Sequence, residues 1–244
     1  MRVIVFTSDK YVSLIKGFAH LFNKHWGEDQ QVSVLGFDPP DFDLPANFEF
    51  ISAGKQADFK PKAFCEPFRP ILESFDDEVF TIFIEDFFLI SSVDKDKLSK
   101  AVNLLESNKA SKVDLFLGAD YQFASSDHFD DDFNVYPQNM EYRFPACGHI
   151  VRKDYYLKYF DQETIWDLEV KNIERSKNDG HNLLVPKTPI APWINVIVKG
   201  KWNQKHAEQM HFSVTKRNFG WNVYQKLDDE EYEIFLSYKD WSPG

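Results

Sequence analysis

Val79-Phe-Thr-Ile-Phe-Ile84 is the most apolar run in the chain, and Glu85-Asp86-Phe87-Phe88-Leu89 follows it directly. Six residues of this kind, β-branched and aromatic, read as a strand buried on both faces, the condition found in parallel sheets covered by helices. Working outward, the flanking segments agree. Arg2–Phe6, Val32–Phe37 and Phe48–Ile51 read as strands, and Ile15, Phe18, Ala19 and Phe22 fall at helical spacing between the first two. Asp9 is placed to cap that helix and Gly27 to stop it. Phe64, Phe68, Ile71, Leu72 and Phe75 mark a helix whose early turns contain Pro67 and Pro70. On the other side of the apolar run, Asp94 caps a helix carrying Leu98, Ala101, Val102 and Leu105, and Val113–Gly118 is the next strand. The order β-α-β-β-α-β-α-β predicts an α/β fold with a central, mostly parallel sheet flanked by helices and Val79–Ile84 near its middle.

The second half is less regular. Residues 119–146 are polar and acidic, including Asp127-His-Phe-Asp-Asp-Asp132, and read as a loop region with at most a hairpin. Helical patterns follow at 153–160 and 164–178, and Ile194–Val198 reads as a strand. No composition shift marks a linker, so residues 1–244 read as one domain.

Composition narrows the function. The 244 residues carry 28 Lys and Arg against 39 Asp and Glu, a net charge of −11, which excludes a general basic stripe for nucleic acid. Ten glycines are about 4% of the chain against a usual ~7%. G-x-G-x-x-G, G-x-x-x-x-G-K-[ST] and G-x-S-x-G are all absent, which removes the Rossmann dehydrogenases, P-loop NTPases and α/β-hydrolases. His20 and His25, like His206 and His211, are five apart, off the i, i+4 register of a helical zinc site. Cys65 and Cys147 are too few for a disulfide framework and predict a reduced, cytoplasmic protein. No stretch approaches 18 apolar residues, so no integral membrane segment is expected.

In open α/β sheets ligands bind beyond the carboxyl ends of the strands. There the first strand delivers Thr7, Ser8 and Asp9, the second Asp38, and the central strand Glu85 and Asp86. An acid pair after the most buried strand is costly unless water, hydrogen bonds or a cation satisfies it. Without a glycine cradle or a basic patch, a diphosphate held here needs a divalent cation; carboxylate, phosphate and water oxygens suit manganese or magnesium. Each residue also has a plain structural use: Asp9 as a cap, Asp130–Asp132 as a solvated loop, Cys147 as an ordinary thiol without a partnering histidine signature.

Here the residues meet a known pattern. Phe83-Ile-Glu-Asp-Phe-Phe-Leu89 resembles the central strand end of GT-A-type glycosyltransferases, the nucleotide-diphospho-sugar transferase superfamily, in a small branch with Glu-Asp-[Phe/Tyr]-Phe-Leu where many relatives carry Asp-x-Asp. Gly148-His-Ile-Val-Arg-Lys-Asp-Tyr-Tyr-Leu157 is similar to the segment leading to the acceptor helix, Trp166-Asp-Leu-Glu169 to a Trp-x-x-Glu element, and Asn195-Val-Ile-Val-Lys-Gly-Lys-Trp202 to a late strand and Gly-Lys-Trp turn. The resemblance spans roughly residues 1–205 in order. It implies a GT-A-like domain with a nucleotide-sugar-binding half at 1–118 and an acceptor half with C-terminal tail at 119–244. It implies transfer of a sugar from a nucleotide-diphosphate-sugar to a saccharide or other hydroxyl acceptor, in carbohydrate biosynthesis. In that scheme Thr7, Ser8, Asp9 and Asp38 lie along the nucleotide, and Asp86 with Glu85 faces a metal and the diphosphate. Lys199 and Lys201 approach the leaving phosphate, Trp166 walls the acceptor, and Glu169 acts with Asp86 in catalysis as the acceptor-side base. The competing expectations are a non-catalytic carbohydrate-binding or assembly protein on the same fold, and a nucleotidyltransferase. The latter wants a Gly/Arg/Lys-rich loop after the first strand, where this chain has Thr7-Ser-Asp-Lys10.

Overall fold

The computed structural model describes residues 1–116, 126–198, 200–203, 216–218, 221–223 and 227–241. Its main sheet has nine strands in the order β3-β2-β1-β4-β9-β6-β10-β8-β7. These are β1 (Arg2–Phe6), β2 (Val32–Gly36), β3 (Phe48–Ser52), β4 (Val79–Ile84), β6 (Lys112–Asp114), β7 (Asp127–His128), β8 (Phe133–Val135), β9 (His149–Arg152) and β10 (Leu183–Pro186); β5 (Phe87–Leu89) lies outside it. β4 is paired on both sides, with β1 in parallel and β9 antiparallel, so the apolar run is interior to the sheet as its sequence predicts. Following the pairings across, seven strands run one way and two, β8 and β9, run the other. The antiparallel β9 between β4 and β6 and the strand β10 beside β6 depart from the sequence reading, which assigns no strand to His149–Arg152 or Leu183–Pro186.

Alternation along the strands divides the core into two layers. Val3, Val5 and Phe83 face one, packed under α1 (Ile15–His25) through Phe18 and Phe22 and under α3 (Lys95–Glu106) through Leu98, Ala101 and Leu105. Ile4, Phe6, Phe80 and Ile82 face the other, against Phe68 and Leu72 of α2 (Cys65–Ser74) and Tyr155, Tyr156 and Tyr159 of α4 (Lys153–Tyr159). Each buried aromatic of this kind contributes about 1.5–3 kcal/mol by leaving water. Asp94 caps α3, its carboxylate accepting the Lys97 N–H at 2.9 Å.

Several local expectations change. The 164–178 pattern is two short helices, α5 (Ile165–Val170) and α6 (Asn172–Ser176), meeting at Lys171. The expected strand at 194–198 is β11 (Trp193–Asn195), antiparallel to β5, and then β12 (Ile197–Val198), which pairs with β13 (Lys201–Trp202). The expected strand 113–118 is confined to β6; residues 117 and 118 lie outside the described residues. The acidic stretch contributes the hairpin β7–β8 to the sheet edge. α7 (Asp229–Ser237) returns to pack on α1, its first turn closed by a capping box between Asp228 and Glu231.

Candidate functional site

Three strand ends meet at the carboxyl edge. β1 continues its ladder past Phe6: the Glu85 N–H donates to the Phe6 carbonyl at 3.1 Å and the Thr7 N–H to Leu35 at 2.9 Å. Thr7 is buried between the neighbouring strand ends. Asp9 does not cap a helix. Its carboxylate accepts the Asp38 N–H at 2.9 Å, and its own N–H donates to Gln56 Oε1 at 3.1 Å, so one side chain ties the loops after β1 and β2 while its backbone reaches the loop after β3. An aspartate before a helix serves either use, and the Asp38 amide wins because β2 brings it alongside. Thr7, Ser8, Asp9, Asp38 and the Glu85–Asp86 turn therefore share one edge of the sheet.

The acid pair is half-buried and poorly compensated. Asp86 Oδ1 is buried with no hydrogen-bond partner among the described residues. Burial pushes the Glu85 carboxyl well above the ordinary range, and the Asp86 charge pushes it further. Burial likewise raises Asp86, offset only in part by its own backbone N–H. The turn is anchored instead through its backbone, the Val196 N–H donating to the Asp86 carbonyl at 2.9 Å.

Glu169 arrives from α5. Thr164 starts that helix by accepting the Asp167 N–H at 3.1 Å, and the Glu169 carboxylate accepts the Ala146 N–H at 3.2 Å. Burial raises its pKa, which the Ala146 N–H only moderates. Burial first, and then the negative charges of Glu169, Asp86 and Glu85, push the thiol of Cys147, next in the chain, far up. Gly148 follows in the left-handed region (φ +80°), and a Cβ there would stand 3.2 Å from the Trp193 ring, which stacks on Phe87 at 3.8 Å.

Tyr11 is the neighbour that sequence reasoning missed, while Cys147 is one it reads only as an ordinary thiol. The Tyr11 phenol is raised by burial and then by the charges of Glu85 and Asp86. Its position two residues beyond Asp9, on the same loop, was the available signal. Trp166 does not share Glu169's partial burial: it is 62% exposed, with the Lys62 ammonium 5.5 Å from its ring. Lys201 is exposed on β13, whose hairpin leaves the chain just after Val196; Lys199 lies outside the described residues.

Among solved structures, the chain is similar to a mannosyltransferase from Pyrobaculum calidifontis in complex with GDP-Man and Mn2+, at 13% identity and TM-score 0.52, over 86% of this chain and 60% of that one. It is similar to residues 1–349 of TarS from S. aureus in complex with UDP-GlcNAc, at 13% identity and TM-score 0.51, over 86% of this chain and 64% of that one. The fold is GT-A-like. At such identity the likeness is one of fold, and this chain spans about three-fifths of the length of those proteins. No protein-family model and no curated protein matches the sequence.

The GT-A-like edge has oxygen donors that fit a hard divalent cation. An orphaned carboxylate oxygen on Asp86, beside a second acid, is the kind of ligand magnesium and manganese accept, with phosphate and water completing the shell. Among the described residues no group of three or more His, Cys, Asp or Glu is arranged to hold a metal alone. The Asp130–Asp132 run has another use: Asp130 meets Lys100 at 3.0 Å, Asp132 meets the same ammonium, and Asp130 Oδ1 accepts two backbone N–H groups of its own turn. A groove of about 480 Å³ on the outer side of α1 is distinct from this edge; its His20 and Lys24 are already matched by Glu230 and Asp228. No helix among the described residues is long and apolar enough to cross a membrane.

Proposed function

We propose that the protein is a glycosyltransferase, moving a sugar from a nucleotide-diphosphate-sugar to a hydroxyl acceptor. The observation that supports this reading is the Glu85–Asp86 pair at the carboxyl edge of a GT-A-like sheet, with Asp86 Oδ1 buried and without a hydrogen-bond partner among the described residues, and with the carboxyls of Glu85, Asp86 and Glu169 raised by burial. A buried acid left without donors needs an explanation, and a ligand site is one that its position at the strand ends supports. Residues 1–118 carry the donor side and 119–244 the acceptor side. Thr7, Ser8, Asp9 and Asp38 line the nucleotide. Glu85 and Asp86 hold a divalent cation, manganese or magnesium, which when bound neutralises diphosphate charge. Lys201, with Lys199, faces the leaving phosphate.

Glu169 is the base. The acceptor hydroxyl oxygen attacks the anomeric carbon, the bond from that carbon to the diphosphate oxygen breaks, and the bonding pair leaves with the nucleoside diphosphate. Glu169 takes the hydroxyl proton. Burial raises its basicity toward neutral pH, the direction a general base needs. Single displacement inverts the anomeric configuration. Trp166, three residues before it and exposed, offers an aromatic face to an acceptor sugar at the rim.

The test is a thermal-shift panel of nucleotide-sugars with and without manganese, since a ligand bound only to the folded chain raises its melting temperature. Asp86→Ala is expected to abolish that shift and keep the fold. Glu169→Gln is expected to keep donor binding while transfer falls about 100- to 10,000-fold. Full transfer in Glu169→Gln, or a product that retains configuration, removes the base assignment. Donor binding without transfer by the parent protein favours the non-catalytic binding protein.

A further inference from the structure

The segment 227–241 folds back onto the start of the chain. Glu231, buried in the first turn of α7, meets His25 at 2.7 Å, and Asp228 meets Lys24 at 2.6 Å. Phe235 is buried against Phe88, two residues beyond Asp86. These contacts secure the helix. The residues past its end make a different set of contacts. The Tyr238 hydroxyl accepts the Gly17 N–H at 2.8 Å and donates to the Ser13 carbonyl at 3.2 Å. Trp241 Nε1 donates to the Ser13 hydroxyl at 3.1 Å, across 228 positions of sequence, and its ring stacks on Tyr11 at 5.4 Å.

Tyr11 and Ser13 sit on the stretch that leaves β1, and Gly17 in the first turn of α1 that follows it. Within that stretch the N–H groups of Tyr11 and Val12 both donate to the Ser8 carbonyl at 2.9 Å and the Leu14 N–H to the Tyr11 carbonyl at 2.9 Å, and Asp9 ties it to Asp38 and Gln56. Gly17 shows how closely the start of α1 is held. A Cβ at that position would stand 2.8 Å from the Tyr238 ring and 2.9 Å from the Phe88 ring, so only glycine lets the three meet. Tyr238 also packs on Phe88 at 5.9 Å and stacks on Trp202 at 5.3 Å. The same short segment therefore touches both walls of the edge: the Ser8–Tyr11 turn on one side, and the strand that follows Glu85–Asp86 on the other.

We propose that Trp241 and Tyr238 are positioning residues for the donor side of the cleft, clamping the Ser8–Tyr11 turn against the Glu85–Asp86 turn so that nucleotide-sugar affinity depends on the far end of the chain. The inference rests on reading that cleft as the nucleotide-sugar site. Groups that contact a ligand hold their geometry only when a surrounding layer fixes them, and this turn has Trp241 as its outer layer. Trp241 is half-buried and lies past the buried contacts that anchor α7, so its removal separates positioning of the turn from folding of the helix.

The experiment compares the full chain with Trp241→Ala and Trp241→Phe by amide hydrogen exchange, and by calorimetric titration with UDP- and GDP-sugars plus manganese. Trp241→Ala is expected to speed exchange in residues 8–14 at least tenfold while residues 79–84 stay protected, and to weaken nucleotide-sugar binding at least tenfold. Trp241→Phe keeps the ring stack and is expected to recover most of both losses. Unchanged exchange in 8–14, or equal affinity in Trp241→Ala and the parent, overturns the proposal. If Trp241→Ala loses protection throughout the chain, the Phe variant and Ser13→Ala decide: local loosening in either supports positioning, and its absence in both overturns it. A parent protein that binds no nucleotide-sugar, yet whose turn loosens in Trp241→Ala, overturns the donor-site reading and leaves the clamp standing.

Discussion

Asp179 and Asp86 are both carboxylates withdrawn from bulk water, and their surroundings treat them in opposite ways. Asp179 accepts the Tyr155 and Tyr159 hydroxyls at 2.8 Å each and the His181 N–H at 3.0 Å, with the buried Arg143 guanidinium 3.3 Å away. Burial alone would raise its pKa; the His181 N–H, the two hydroxyls and the arginine charge hold it below the ordinary value. Asp114 is matched in the same manner, accepting the Tyr136 hydroxyl at 2.7 Å and meeting the buried Lys112 ammonium. Asp86 has no such set. Its neighbour is another acid, one of its oxygens has no partner among the described residues, and its pKa moves up. A buried acid that serves the fold arrives with its donors. An acid kept for a ligand leaves the donors to the ligand.

The largest effect that tests this contrast is on stability. Asp179→Ala leaves Arg143 buried without its carboxylate, and breaking a buried pair from one side costs about 3–5 kcal/mol. Urea denaturation at neutral pH measures it. Asp86→Asn, by contrast, is expected to leave stability unchanged or raise it. If Asp179→Ala costs under about 1 kcal/mol, a charge buried without its partner is cheap here, and poor compensation at Asp86 loses its meaning.

How much of this is legible in the sequence depends on range. The β4 run, its terminal acids, the α2 and α3 patterns and the Asp94 cap are local, and local periodicity or a capping side chain three residues from its N–H suffices to read them. The strand β9 is four residues, His149–Arg152, and nothing in so short a run distinguishes a strand from the start of the helix after it. Its antiparallel insertion beside β4 is a tertiary fact. So is the Ala146–Glu169 bond, which spans 23 positions and ties an apparent first-turn acid to the segment before β9. The use of Asp9 is hidden for the same reason. Its side chain can cap a helix or bind a loop amide, and only the placement of β2 beside β1 brings the Asp38 N–H within reach.

A second, smaller effect is the pH profile, where the two acids predict opposite slopes. Asp179 is depressed in the folded state, so its contribution is present above the unfolded carboxylate pKa and is lost as pH falls through the folded value. Asp86 and Glu85 are raised, so their favourable contribution is present below the unfolded pKa and is lost as pH rises through the folded values. Between about pH 4 and pH 8 the parent should therefore lose stability relative to Asp86→Asn, by on the order of 1 kcal/mol once solvent access to the pair is allowed for. Melting curves across that range check the sign. A gap that stays constant with pH removes the raised acid, and manganese that closes the gap at pH 8 sharpens the case that the pair awaits a cation.

The smallest effect is expected at the acidic loop. Asp130, Asp131 and Asp132 are three consecutive acids, yet the Lys100 ammonium meets both Asp130 and Asp132. Burial opposes ionisation of Asp130, but Lys100 and the N–H groups of Asp132 and Phe133 together hold its pKa below the ordinary value, the pattern of Asp179 at the surface. Water already solvates this turn, so the ion pair between Lys100 and Asp132 contributes no more than about 1 kcal/mol. Asp132→Asn is expected to shift the melting temperature by no more than a few degrees and to leave manganese and nucleotide-sugar binding at the parent's level. The charge count argues the other way, since three consecutive acids attract a divalent cation more strongly at long range than two. The cost already met by the fold decides between them: a cation bound at 130–132 must displace Lys100, whereas one bound at 85–86 relieves two acids that burial disfavours. Titration of the Asp132→Asn and Asp86→Asn proteins with manganese separates the two. Loss of binding in the first and not in the second would transfer the site to the loop and reverse the contrast between matched and unmatched acids.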